Sequence, residues 1–255
     1  MFSGDSLKSL YLPDHTWEEI KRFSSGTQTS IIPIGSLEQH GPHLPIGTDA
    51  MIAFRIASEV SEKISTLLLP PLSVGFSMEH MSFSGTISID ATTLISTISG
   101  VCQSLVTHGF TNLIVINGHG GNVAALETAA QMLLYSSNIK VLMFHVPDLA
   151  NAAYRNLYHD QAHAQPGHAD EIETSLLLAC SKWNLRRRNK IKEVPKLPKG
   201  LSLGSPMEGI FMPWKAGELS RSGVLGDPTG ASRAKGKKIL EAVVYKIAEV
   251  IHDSR

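Results

Sequence analysis

"LIVINGHGGN", residues 113–122, decides the reading of the fold. Leu113 to Ile116 form an apolar run of strand length without polar alternation, which predicts a strand buried on both faces. Three glycines surround His119 in the turn that follows, and a helix is expected beyond it. A strand that enters such a turn and then a helix is the unit of an open α/β sheet, which places its ligands at the carboxyl ends of the strands. Dinucleotide binding is excluded by spacing, because Val123 stands where the third glycine of GxGxxG belongs. "GASRAKGKK" (230–238) fails as a phosphate loop, since five residues separate its glycines and no strand precedes it. His119 at the tip of the turn is then the chemically active candidate, with the backbone amides of Gly120 and Gly121 available to an oxyanion.

Outward from this stretch, "TSIIPIG" (29–35), "TLLLPPL" (66–72) and "IKVLMFHV" (139–146) also fit buried strands. Helical spacing lies between them: Ile52, Ile56, Val60 and Ile64 fall four apart, and Leu94, Ile98, Val101 and Leu105 form a second stripe ending before Gly109. Ile239, Leu240, Val243, Val244, Ile247, Val250 and Ile251 predict a last helix after "GDPTGAS". Alternating strands and helices imply an α/β fold with a mostly parallel central sheet covered on both faces. We expect one domain over residues 1–255, with the basic, Pro-rich and Gly-rich segment 186–209 as a surface excursion, a lid or a subunit contact.

With 23 basic and 23 acidic side chains, no net field draws the chain to nucleic acid or an anionic membrane, so a small neutral substrate is expected. Cys102 and Cys180 are far apart and form no CxxC pair, which argues against a disulfide framework or thiolate metal site. Neither a signal-peptide core nor a membrane-length apolar run is present, and a cytoplasmic protein is expected.

Two further segments bring acid and imidazole together. In "PIGSLEQHGPHLP" (33–45) the prolines and glycines forbid a helix, and in an extended chain Glu38 and His40, two apart, point the same way. Carboxylate oxygen and imidazole nitrogen are ligands that Zn²⁺, Mn²⁺ and Fe²⁺ accept. Asp49 lies at the mouth of the next helix, either as its N-cap or as a further ligand. His43 is expected as a loop residue or a supporting donor. In "PGHADEIETSLLLAC" (166–180), Pro166 and Gly167 break the chain before His168, and Glu173 shares a face of the following helix with Leu177. A buried Glu173 needs a positive partner, an arginine or a metal. Serine-hydrolase chemistry is not indicated, because "IGSLE" is not GxSxG.

"PIGSLEQHGPHLPIGTD", "FSGTISID", "NGHGGN" and "HADEIETS", in this order, resemble the creatininase family of creatinine amidohydrolase-like proteins. The resemblance implies a three-layer α/β/α sandwich carrying two divalent ions per chain, Zn, Mn or Fe, in a homo-oligomer that is often a hexamer. It assigns Glu38, Asp49 and His119 to one ion and His40, the bridging Asp49 and a further Glu to the other, with His168 as the catalytic histidine. In creatinine-hydrolysing members the further Glu lies two positions after the NGH motif, where this sequence has Gly121; Glu173 is the implied substitute. Gly120 stands where those members carry Tyr, and no Trp lies between Val146 and His168. "GFSMEHMSFSGTISI" and "GVLGDPTGAS" look closer to the formamidopyrimidine deformylase and mycofactocin precursor peptidase branches, which would turn Glu79 and His80 toward the substrate.

The expectation is therefore a metal-dependent amidohydrolase that opens a non-peptide amide or formamide C–N bond of a small molecule with a metal-bridging water. A mycofactocin-type metallopeptidase, a creatinine amidohydrolase and a non-catalytic metal-binding paralogue are the alternatives.

Overall fold

The computed structural model describes residues 10–158, 167–181 and 213–254. The basic segment 186–209 lies outside them. Four strands, β1 (Thr29–Ile34), β2 (Leu67–Leu68), β3 (Asn112–Asn117) and β4 (Val141–His145), form one parallel sheet in the order β2-β1-β3-β4. Helices α1 (Trp17–Gly26), α2 (Thr48–Ile64), α3 (Ala91–Thr107), α4 (Val123–Ser137), α5 (Val146–Leu157), α6 (Glu171–Cys180), α7 (Ala216–Leu219) and α8 (Arg233–Asp253) complete the described elements.

Side-chain alternation along the strands creates the two faces. Ile31, Ile114 and Ile116 point to one side, where they meet Ile52, Ile56 and Val60 of α2, Tyr154 of α5, Leu177 of α6 and the apolar stripe of α8. Ile32, Ile34, Leu113 and Val115 point to the other, against Leu94, Ile98 and Cys102 of α3 and Leu126, Ala129 and Leu133 of α4. The result is the expected three-layer α/β/α sandwich. Both faces of β1 and β3 are sealed, which is why these strands read as continuous apolar runs. Each fully buried Ile contributes roughly 1.5–3 kcal/mol relative to exposure.

Some boundaries differ from the sequence reading. "TLLLPPL" contributes only Leu67–Leu68 as strand, because Pro70 and Pro71 lack the N–H groups a longer ladder needs. The capping-box helix α1 and the helix α5 were not anticipated from apolar spacing; neither carries a long stripe, and Thr16 and Glu19 hold the start of α1 instead. Gly109 takes φ 90° just beyond α3, as the C-terminal glycine signal required. Both cysteines are free, and burial pushes each thiol up to about 12. Among the described residues, no helix is long and apolar enough to cross a membrane.

Connections leave β1 in opposite directions. The chain passes through α2 to β2 on one side, then returns through α3 to β3 on the other. This reversal opens a crevice between the carboxyl ends of β1 and β3, where an open sheet binds its ligand. Helix α6 is held beside that crevice by α8, and the two backbones approach closely at Gly236, where an added Cβ would fall on the Ser175 carbonyl. We expect Gly236→Ala to cost about 1–3 kcal/mol by overpacking, measured as a lowered urea midpoint at unchanged slope.

Candidate metal centre

The carboxyl end of β1 and the first turn of α2 touch with no side chain between them. A Cβ at Gly35 would fall on the Ala50 backbone, and one at Gly118 on the Asp49 carbonyl. These glycines let the start of α2 drop between the ends of β1 and β3. Asp49 is consequently not the N-cap, which is Gly47; it lies in the first helical turn and turns its carboxylate inward. Its Oδ1 lies 3.0 Å from His40 Nε2, and its Oδ2 lies 3.2 Å from His119 Nδ1. Asp49 thus stands between the two imidazoles.

Glu38 and His40 converge as the extended reading required. Glu38, 1% exposed, places Oε2 3.2 Å from His119 Nδ1. Glu38, His40 and Asp49 each offer a ligand atom within 4.8 Å of the others. From α6, Glu173 brings Oε1 to 3.4 Å from His40 Nε2 while its Oε2 accepts from the Ala169 N–H at 2.7 Å. Among the described residues its partner is therefore His40 and not an arginine. Asp170 caps α6 by accepting from the Glu173 N–H, and His43 meets Thr174 of the same helix.

Backbone carbonyls set the tautomers of the candidate ligands. His119 Nε2 lies 2.8 Å from the Phe76 carbonyl, to which it donates, and this aims Nδ1 at Glu38 and Asp49. His40 Nδ1 donates to the Glu38 carbonyl at 3.1 Å, aiming Nε2 at Asp49 and Glu173. Such outer hydrogen bonds orient imidazoles that ligate metals. Burial alone would lower both imidazoles, but Glu38 and Asp49 around His119, and Glu173 and Asp49 around His40, outweigh it and hold both well above the ordinary range. Burial would likewise raise Glu38, yet His119 holds it down to about 2. Five buried or half-buried groups of mixed N and O type, with carboxylates drawing positive charge to one point, fit divalent cations, which compete with protons for these atoms.

Three residues unmarked in the sequence reading tie the cluster together. Ser36 Oγ lies 2.8 Å from Glu38 Oε2 and 2.7 Å from Asp49 Oδ2, so one hydroxyl serves both carboxylates. Asn117 pins the His119 backbone, accepting from its N–H and donating to its carbonyl. Asn122 donates to the Gly35 carbonyl and accepts from the Phe76 N–H, riveting the two strand ends to the loop beyond β2. Only hydrogen-bond geometry distinguishes these from ordinary loop residues. Ser36→Ala is expected to weaken zinc binding roughly 10–100-fold, the usual effect of losing an outer-shell partner, as read by titration against a competing chelator.

His168 approaches from the far side, with Nδ1 3.6 Å from Glu38 Oε1. Its backbone exchanges two 2.9 Å hydrogen bonds with Leu225, and the next residue, Ala169, adopts φ 55°, a left-handed conformation costly for a non-glycine residue. Gly167 permits this pairing, since a Cβ there would fall on the Leu225 carbonyl. His80 brings Nε2 to 3.5 Å from Glu38 Oε1, and Glu79 Oε1 lies 3.7 Å from His119 Nε2. Burial pushes His80 down to about 3 and raises Glu79. Gly121 has no room for a side chain, because a Cβ would meet the Phe76 carbonyl, His119 and Glu79. Gly120 is different: a Cβ there would meet nothing within 4 Å. Every site residue expected from the sequence, apart from the open Gly120, is therefore in or against one cluster.

A family model described as creatininase, creatinine amidohydrolase, matches residues 13–251. The creatinine amidohydrolase of Pseudomonas putida is 29% identical over 261 residues, covering 96% of this chain and 97% of that protein. The mycofactocin precursor peptide peptidase of Mycolicibacterium smegmatis is 32% identical over 233 residues, covering 87% of this chain and 83% of its own length. A crystal structure of creatinine amidohydrolase (creatininase) superposes with a TM-score of 0.82 at 28% identity, covering 97% of this chain and 98% of that one.

Proposed function

The chain belongs to the creatininase family, and on that premise we propose that it is a divalent-metal-dependent amidohydrolase that opens a non-peptide amide or formamide C–N bond of a small molecule. The observation that carries this reading is the convergence of Glu38, His40, Asp49, His119 and Glu173 at the carboxyl ends of β1 and β3. Glu38, Asp49 and His119 would hold one divalent ion, Zn, Mn or Fe, and His40, Asp49 and Glu173 a second. When bound, the ions supply a water of lowered pKa and polarise the carbonyl to be attacked.

The chain's own residues supply the rest. Asp49, reaching both imidazoles, fixes the spacing of the two sets of ligands. His168 donates Nε2–H to the Gln39 carbonyl at 2.6 Å, which leaves Nδ1 facing the cluster as the atom that takes a proton and passes it to the departing nitrogen. Gly120 and Gly121 offer backbone N–H groups at the turn, and Glu79 and His80 border the same space. A small neutral amide suits a balanced chain of 23 basic and 23 acidic residues. We further propose a cytoplasmic homo-oligomer, with the family's hexamers as precedent.

The 32% identity to a mycofactocin precursor peptide peptidase favours one second reading, a metallopeptidase of the mycofactocin precursor type. The test is metal content of the purified protein alongside release of formate or amine from formamidopyrimidines, creatinine and short peptides. Close to two ions per chain with turnover of a formamide supports the first reading, and turnover of a peptide alone selects the second. Absence of bound metal after reconstitution would overturn both.

A further inference from the structure

We propose that His80 is the N–H donor of the site, a hydrogen-bond partner for the substrate's carbonyl oxygen and not a metal ligand, and that Gln39 is the positioning residue that keeps it so. This rests on the hydrolase reading above. Glu38, His80 and His168 form a set compact enough to hold an ion, so the role of His80 turns on which ring nitrogen carries the hydrogen.

Gln39, 5% exposed, answers that. Its amide can be oriented without reference to His80. The Gly41 N–H can only donate, and it lies 2.9 Å from Oε1. The Gly223 carbonyl can only accept, and it lies 3.0 Å from Nε2. With both ends fixed by backbone, Gln39 Nε2 is a donor, and it stands 2.9 Å from His80 Nδ1. Nδ1 must accept, so the hydrogen of a neutral ring is on Nε2. That nitrogen faces Glu38 Oε1 at 3.5 Å, too far for a good hydrogen bond, which leaves its hydrogen available to a bound oxygen. A nitrogen that bears a hydrogen has no lone pair for a cation. Gly223 is part of the device: it holds φ 85°, and a Cβ there would fall on the Gln39 amide.

His168 carries the opposite pattern. The Gln39 carbonyl takes its Nε2–H at 2.6 Å, leaving Nδ1 bare and 3.6 Å from the same Glu38 oxygen. The two rings lie 4.3 Å apart at 32°. Through its side chain and its carbonyl, Gln39 therefore presents two adjacent, tilted imidazoles in opposite tautomers, one offering a hydrogen and one accepting a proton. Amide hydrolysis uses both, since the carbonyl oxygen gains charge while the nitrogen must be protonated. His80 keeps its proton and acts by hydrogen bonding.

The deciding experiment is magic-angle-spinning NMR of the full-length protein labelled with ¹⁵N-histidine, with His80 assigned by loss of its signals in His80→Gln and His80→Asn. The Nε2–H tautomer is expected before and after zinc saturation. Gln39→Glu, of the same shape but accepting, should convert His80 to Nδ1–H, while Gln39→Met should give a mixture. Both His80 variants should keep wild-type zinc stoichiometry. On whichever amide the panel yields, His80→Leu, which has no donor, should lower kcat on the order of 10²–10³-fold, the range for an oxyanion donor, with KM little changed, while His80→Gln, which keeps an amide donor, should lose less. An Nδ1–H tautomer in the wild type, a zinc-ligation shift at His80, or loss of zinc in both His80→Gln and His80→Asn would overturn the proposal. Failure of the wild type to bind zinc would overturn the hydrolase reading, and with it the role at the carbonyl, while the tautomer measurements would still test the Gln39 lock.

Discussion

Asp49→Ala is expected to abolish metal binding and turnover together. The carboxylate is 2% exposed and touches His40, His119 and Ser36, so no other group can take its place between the two halves of the cluster. Losing the carboxylate assigned above as the bridging ligand would forfeit several kcal/mol of charge stabilisation, on the order of a thousand-fold or more in rate. The variant should fold, because Asp49 is not the cap of α2 and its removal leaves the packed face of Ile52, Ile56 and Val60 intact. Metal analysis, circular dichroism and the substrate panel on the same preparation check this. Full zinc occupancy in folded Asp49→Ala would refute the bridging assignment.

His168→Gln is expected to separate what Asp49→Ala loses together. The imidazole lies 3.6 Å from Glu38 and is anchored through Gln39 and Leu225, outside the two ligand sets assigned above. Zinc content should remain at the wild-type level while kcat falls roughly 10²–10⁴-fold, the usual contribution of a positioned acid or base. Glutamine retains a donor for the Gln39 carbonyl, so the strained turn at Ala169 keeps its anchor. A variant that loses metal in proportion to activity would move His168 into the ligand shell and displace the proton-transfer role.

Much of this arrangement was legible because two different constraints left marks on the sequence. Burial of β1 and β3 on both faces demanded uninterrupted apolar runs, and the chemistry demanded His and carboxylate residues where those runs stop. The glycines carried a third mark, since Gly35 and Gly118 mark where the start of α2 touches the strand ends. Asp49 was ambiguous by nature: an acid at a helix start serves a cap or a site equally well, and only the direction of its side chain separates them. Ser36, Asn117 and Asn122 were hidden because short polar residues in loops are the commonest way to satisfy backbone groups. Gln39 was hidden for another reason. Its importance lies in both ends of one amide meeting partners, one of them Gly223, from a distant part of the chain.

That distance sets a timetable for synthesis. Gln39 and His168 are 129 positions apart, and His168 in turn pairs with Leu225. A chain emerging from the ribosome has β1, α2 and β3 long before it has α6 or the strand-like partner of His168. Nascent intermediates thus expose an incomplete acidic pocket, and closing it waits for contacts of high sequence separation, the slow class in folding. Completion of the cluster is therefore expected late in folding, and the appearance of metal binding during refolding would time the docking of the C-terminal third.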